Sequence, residues 1–476
     1  MEEKTEIFII KKENLTYPEN YNPSSQYPEY PCEELSEENN VYHSIRELFK
    51  NMGLDKENFG KTTWNPLGEI IKPGQNVLIK PNFVRDFNPV EKDITSLVTN
   101  GSIIRAIVDY CYIALKGRGS LVIGDAPVQS ANFDVIKEFE KMDEVIKLYR
   151  TKNFNIEIID FRKKICERNS PIDKVSQEGD PKGYTIVDLQ DESCHANKNV
   201  DFKRFRVTNY DPDLMRENHN DIQHKYLISS TVLSADVVIN IPKLKTHRKA
   251  GLTCALKNLI GINCLKDYLP HHTKGSKNEN GDEYLYKDFN KVLHSFLDDT
   301  INRSCATERL KLGLLNLLMK INGKIIRLKE KDPFSEGSWY GNDTLWRTIL
   351  DLNRILFYCD EKGVMSEKKQ RKVFTLVDGI VAGEKEGPLE PTSKHCGLLL
   401  AGHNPVAVDY AASIFMGFDY LKIPQINNAF NIEKYPLIKN GVDDIEFYLN
   451  GRKSGIEGIK KNSFIFIPTA GWMGHI

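Results

Sequence analysis

The sequence predicts an α/β fold: layered, with a largely parallel sheet, flanking helices and a helical insertion. Three observations carry this. Short apolar runs, among them Val77-Leu78-Ile79, Ser120 to Gly124, Asn155 to Asp160, Val237 to Ile241 and Phe374 to Val377, read as buried strands. Helical patterns alternate with them, above all Ser102 to Lys116, with Ile103, Ile104, Ile107, Val108, Cys111, Ala114 and Leu115 at helical spacing. That order of strand, loop, helix and strand is how parallel β-α-β units are written in a chain.

Taken in order, residues 1–73 form an N-terminal extension with a strand at Glu6–Ile10, a polar connector and a short amphipathic helix from Val41 to Met52. Residues 74–274 form the α/β domain. Within it, Phe161 to Lys225 is polar, broken by turn signals, and reads as an insertion or an irregular β region. Residues 275–370 form the helical insertion, whose helices are marked by Phe289, Val292 and Phe296, by Leu310, Leu314, Leu317 and Leu318, and by Leu345, Ile349 and Leu352; these side chains are expected in a core or a lid. Residues 371–476 bring the chain back to the α/β domain. There Asp378 to Pro388 reads as a tight acidic glycine loop, and Asn404 caps a helix with Pro405 at its first position.

Composition narrows the function classes. Lys plus Arg is 65 and Asp plus Glu is 66 in 476 residues, a net charge of −1, which gives no support to nucleic-acid binding. The start, MEEKTEIFII, is not a signal peptide. No run of about 18 apolar residues occurs, so neither a membrane span nor a membrane partner is expected. Nine cysteines are scattered without a C-x-x-C pair, which argues against an iron–sulfur cluster and a zinc ribbon, and suits reduced thiols in the cytoplasm.

The stretch Ala235 to Asn263 is the centre of interest. A buried strand ends at Pro242, and Lys243, Lys245, Thr246, His247, Arg248 and Lys249 crowd behind it. Gly251 then opens a helix-like pattern that puts Thr253 and Lys257 on one face. A basic loop at a helix N-terminus suits an anion; it is equally a solvated loop over a sheet edge. Lys80 with Asn82, and Asp125, also follow strand ends, where ligands sit in parallel sheets. Asp378 and Glu384 could hold a divalent ion, or could pair with the lysines of the central stretch. Of the adjacent His271 and His272, at most one faces a given site.

Several motifs in order resemble the DUF362 family of prokaryotic proteins, whose name states that its function is not established. They are Lys80-Pro81-Asn82, Gly124-Asp125-Ala126-Pro127, Pro242 to His247, Ala255 to Gly261, Asp378-Gly379-Ile380 with Gly383-Glu384 and Gly387-Pro388, and Asn404 to Asp409. The likeness runs from about residue 74 to about residue 430. Many members carry a ferredoxin-like module; this chain lacks the cysteine spacing for one, so any redox role requires another electron source. A second segment, His247-x-x-x-Gly251-x-Thr253-x-x-x-Lys257, is similar to one in the lactate racemase family. That resemblance implies His247 as acid/base, Lys257 as a cofactor anchor and His271 or His272 as a metal histidine. Cys254-Ala255 stand where that family has paired glycines, so its nickel cofactor is not expected here, only a fold that processes small carboxylates.

The expected function is an enzyme acting on a small carboxylate- or phosphate-bearing metabolite, by proton-transfer isomerisation or by redox or transfer chemistry. In it His247 and Lys257 are catalytic, and Lys80, Asn82, Asp125, Lys243, Lys245, Thr246, Thr253 and Asn258 bind the ligand. A divalent metal at Asp378, Glu384 and His272 is the candidate cofactor. The alternative is a non-catalytic accessory protein that holds an anion or a metal for a pathway or redox partner.

Overall fold

The computed structural model describes residues 5–476 except 31, 33, 168, 169, 197, 305, 306, 330 and 331; Cys305 therefore lies outside the described residues. Eleven strands share one sheet: β1 (Thr5–Lys11), β2 (Asn76–Pro81), β3 (Ser120–Asp125), β4 (Ile156–Asp160), β5 (Val237–Ile241), β6 (Lys243–His247), β7 (Gly251–Thr253), β8 (Lys372–Glu386), β9 (Glu390–Gly402), β10 (Ile445–Leu449) and β11 (Arg452–Ser454). The order across it is β11-β10-β1-β9-β8-β5-β2-β3-β4. The five strands from β8 to β4 run parallel, with Asn240 of β5 opposite Lys80 of β2. β8 and β9 form a long antiparallel hairpin. β6 continues past Pro242 and pairs with β8 and with β7.

Alternation along β5 shows why the sheet has two covered faces. Val238 packs into one apolar cluster, and Val237, Ile239 and Ile241 pack into the other. A strand buried on both sides needs an uninterrupted apolar run, which is what its sequence supplies. Helices α1 (Asn40–Asn51) and α2 (Gly101–Leu115) cover one face, each capped by the side chain of a preceding asparagine, Asn39 or Asn100. The other face takes α3 (Ala255–Asn258), α6 (Leu345–Tyr358) and α7 (Pro405–Met416). Between α3 and α6, α4 (Phe289–Arg303) and α5 (Arg309–Arg327) pack on each other as a hairpin.

Four readings of the sequence need correction. The N-terminal segment is not peripheral, because β1 lies between β9 and β10 inside the sheet. The helical insertion is not one unit: α6 is core, whereas Phe289, Phe296, Leu310, Leu314 and Leu317 are exposed. Lys243 to His247 of the basic run form a strand, β6, buried throughout, and only Arg248 and Lys249 lie in the turn that follows it. The acidic glycine stretch is part of strand β8, with Asp378 opposite Leu399 and Glu384 opposite Thr392. Its glycines serve close strand packing: a Cβ on Gly383 would crowd Pro391 and Lys245.

Strand pairing also decides what Asp378 does. β6 runs beside β8 with Lys243 opposite Asp378, and the Lys243 ammonium lies 3.0 Å from the carboxylate. Tyr17 donates to the same carboxylate, as does the Asn100 backbone N–H at 2.9 Å. Lys243 and Asp378 are both fully buried. Asp378→Asn, which strands a buried ammonium, is expected to lower the unfolding free energy by about 3–5 kcal/mol in urea titration. Glu384→Gln, in a pair with Lys394 that is partly open to water, is expected to cost less than about 1 kcal/mol.

Candidate functional site

The site begins with a buried ion pair that fixes the ends of two parallel strands. Lys80 and Asp125 are the last polar residues of β2 and β3, and their side chains meet at 2.7 Å. Asp125 also accepts from the Phe83 and Ala126 backbone N–H groups at 2.6 and 2.7 Å. Asn258 bridges the next strand, donating to the Lys80 carbonyl at 3.2 Å and to the Asn240 side chain at 2.7 Å. Gly261 lies against this pair; any Cβ there would collide with the Asp125 carboxylate. That steric fact explains the glycine better than helix termination does.

Above this frame opens a cavity of about 450 Å³. It lies at the carboxyl ends of β2 and β3 and beside β6, where ligands bind in parallel sheets. Among the described residues, Arg85, Lys174, Arg248, Lys249, Lys257 and Lys266 line it, against two carboxylates, Asp125 and Glu336. Asp125 is already committed to Lys80. The wall is therefore strongly cationic. Among the described residues Lys249 reaches only the Thr208 hydroxyl at 3.3 Å, and Lys266 only the Ala126 carbonyl at 3.4 Å.

These lysines are held below their ordinary range. Burial, reinforced by Lys266 and Lys80, brings Lys257 down to about 7. Burial brings Lys249 to about 8 against the pull of Glu336, and Lys266 to about 8 against that of Asp125. A charge that is hard to keep without a counter-ion is one an anionic guest would restore.

Two histidines line the same cavity with opposite polarity. The Nδ1 atom of His247 accepts the Lys249 backbone N–H at 3.0 Å, so the neutral ring carries its proton on Nε2. The Nδ1 atom of His271 lies 2.7 Å from the Leu269 carbonyl, which can only accept, so the neutral ring keeps its lone pair on Nε2. Burial holds both imidazoles well below the ordinary value, reinforced by Lys257 for His247 and by Lys249 for His271. Both rings are neutral at pH 7. Beside them the buried Thr253 hydroxyl has no hydrogen-bond partner among the described residues.

Of the residues proposed from the sequence, Asn82, Asp125, His247, Thr253, Lys257 and Asn258 line the cavity. Lys80, Lys243, Lys245 and Thr246 do not, because each is spent inside the fold. Lys245 donates to Asn82 at 2.7 Å and to the Leu97 carbonyl, and Thr246 donates to the Lys385 carbonyl at 2.8 Å. The metal set is not brought together. Asp378 holds Lys243, Glu384 accepts from the Ile467 N–H at 3.0 Å, and His272 sits in a two-residue strand opposite Arg206. Among the described residues no group of three His, Cys, Asp or Glu is placed to hold a metal ion.

The expected helix N-terminus is also different. Gly251 to Thr253 is strand β7, and α3 begins only at Ala255. Its first amides are taken by the protein's own Asp409, at 2.6 Å from Ala255 N and 3.2 Å from Leu256 N, so they are not free for an anion. The buried Cys254 thiol bonds to the same carboxylate.

Sequence reasoning missed Arg85, Lys174, Lys266 and Glu336. They come from four segments far apart in the chain, and no local pattern distinguishes them from surface charges. His271 over His272 was decidable only by the fold.

A parallel-sheet α/β protein with a cationic cavity at its strand ends is thus the class that fold and site define. Residues 192–413, the segment that carries His247, Lys257 and Asp378, match the family described as "Domain of unknown function (DUF362)". Lys80, Asn82 and Asp125 lie outside the matched residues. No curated protein matches the chain. Among solved structures, the crystal structure of a structural-genomics target from Thermotoga maritima is similar over 78% of this chain and 59% of that one, at 10% identity and a TM-score of 0.32.

Lys257→Met is expected to stabilise the ligand-free protein, because it removes a half-buried charge that Lys266 and Lys80 repel. Its folded value near 7 lies below the unfolded lysine value, so the folded state binds fewer protons between about pH 7 and pH 10.5. Wild-type stability should rise through that window. The advantage of the variant should be largest below pH 7 and fade toward pH 10.5, as read by denaturant melts across pH.

Proposed function

We propose that the cavity binds a small carboxylate- or phosphate-bearing metabolite and moves a proton on it. The observation that carries this reading is the pair of imidazoles of opposite, backbone-fixed polarity beside a set of under-neutralised lysines. Lys249, Lys257 and Lys266 attract and orient the anionic group. His271, with its lone pair on Nε2, is the base. It takes a proton from the carbon next to the carboxyl group: the C–H bond breaks, an N–H bond forms, and the electron pair moves onto the carboxyl oxygens. His247 presents an Nε2–H to that developing charge and resists becoming imidazolium, since Nδ1 already faces the Lys249 N–H. Lys257 supplies positive charge to the same centre.

Isomerisation balances with these groups alone, because the proton that leaves the substrate returns to it. The likeness of the His247 to Lys257 segment to the lactate racemase family supports the same substrate class. Asp125 and Asn258 are positioning residues, acting through Lys80 and the strand ends.

Thermal-shift measurements against a panel of small carboxylates and phosphate esters test the binding half. At least one anion should raise the melting temperature of the wild type, and Lys257→Met should abolish that shift. For the anion that binds, proton NMR in D2O tests the chemistry. His271→Asn should slow hydrogen exchange at the carbon next to the carboxylate by about 10²–10⁴-fold while the thermal shift persists. Exchange unaffected by His271→Asn would refute the base assignment. A wild type stabilised by no anion would refute the cavity reading itself.

A further inference from the structure

The helical hairpin α4–α5 turns an apolar face to solvent, and its charge states what covers it. On α5, Leu310, Leu314, Leu317, Leu318, Ile321, Ile325 and Leu328 are spaced along one side of the helix and are all exposed, from 93% at Leu310 to 50% at Ile321 and 44% at Leu318. On α4, Phe289, Val292 and Phe296 are exposed at three- and four-residue spacing, Phe289 to 78%. Amphipathic helices of globular proteins bury such a stripe; here the buried residues of α5 are Leu312, Asn322 and Ile326, and Asn322 donates to the Asn290 carbonyl of α4 at 2.7 Å.

Cations border the stripe. From Arg309 to Lys329 there are six basic residues and no acidic one. On a helical wheel Arg309, Lys320, Lys324 and Arg327 lie along one flank, and Lys311 and Lys329 along the other. Lys311 and Lys329 pair with Glu308 and Asp288. The first four are exposed and have no ion-pair partner among the described residues. Apolar side chains along one line, bordered on both sides by lysine and arginine, form the pattern of a helix that lies in an anionic lipid interface. No helix of the described residues is long and apolar enough to cross a membrane, so the hairpin would lie on the surface and not span it.

We propose that the α4–α5 hairpin docks the protein on an anionic phospholipid surface, with the Leu310 to Leu328 stripe among the acyl chains and the flanking cations at the phosphates. Charge complementarity selects this occupant over a second copy of the chain, because two copies of the hairpin face to face would set their cationic flanks against each other. A lipid surface offers an apolar phase bordered by negative charge, and both halves of the face are then used. A lipid partner departs from the expectation of no membrane partner, and it is independent of the chemistry assigned to the cavity.

Vesicle co-sedimentation of the full chain tests it, with phosphatidylcholine vesicles alone and with added phosphatidylglycerol. Binding to the anionic vesicles only, weakening as salt rises, is the expected result. Leu317→Glu with Ile321→Glu should weaken that binding by about tenfold or more, since two leucine-sized side chains would no longer enter the apolar phase. Lys320→Gln with Lys324→Gln, which leaves the stripe intact, should weaken it less. Both double variants should melt as the wild type does, because all four side chains are exposed. Failure of the wild type to bind anionic vesicles would overturn the proposal. So would equal binding to neutral vesicles, or binding untouched by both double variants. Light scattering that shows self-association, abolished by Leu317→Glu with Ile321→Glu and not displaced by vesicles, would assign the face to a second copy instead.

Discussion

Ammonium groups withdrawn from water must be given a counter-charge, and this constraint organises the strand ends of the sheet. The parallel strands place lysines where they finish, and the fold treats those lysines in two ways. Lys80 and Lys243 each meet a buried carboxylate, Asp125 or Asp378, whose remaining lone pairs accept backbone N–H groups. Lys245 is wrapped by Asn82 and a carbonyl, and burial with Lys243 beside it holds it well below the ordinary lysine range. These three tie strands and connections together. Among the described residues Lys249, Lys257 and Lys266 receive no carboxylate partner in contact, and they are the ones that line the cavity.

The division has an energetic meaning. A paired buried charge stabilises a particular arrangement of the chain, and removing one partner is costly. Under-neutralised charge does the opposite: it destabilises the empty protein and rewards a guest. Sites that bind or react commonly carry this kind of local cost, set against the stability of the frame around them. The imidazoles extend the same logic. Cations and burial keep both neutral, and two backbone contacts fix which nitrogen carries the proton, so one ring can take a proton and the other can donate a hydrogen bond.

Much of the frame was legible in the sequence because strands and their ends are local. Val237 to Ile241, Val77 to Ile79 and Ser120 to Gly124 announce themselves by apolar runs, and Asn404-Pro405 by capping chemistry. What each polar residue does was not legible. Lys243 and Lys257 look alike in sequence; strand pairing puts Asp378 opposite the first, whereas the second stands on α3 and lines the cavity. Asp378 and Glu384 suggested metal ligands because their glycine-rich surroundings resemble a loop, whereas the β8–β9 hairpin makes that stretch a strand. Lys174, Lys266 and Glu336 reach the cavity from distant segments, which no periodicity encodes. The stripe on α5 was visible as a helix face, but periodicity shows only that a face is apolar, not whether the fold covers it.

The central claim, that the cavity holds lysines whose charge awaits an anion, is tested most directly by isothermal titration calorimetry with a fully ionised small dicarboxylate in buffers of different ionisation enthalpy. Near pH 8, where Lys249, Lys257 and Lys266 are partly neutral, binding should draw protons from the buffer, and the uptake should shrink toward pH 6 and in Lys257→Met. Binding with no proton uptake at pH 8, or no binding of any anion, would contradict the account.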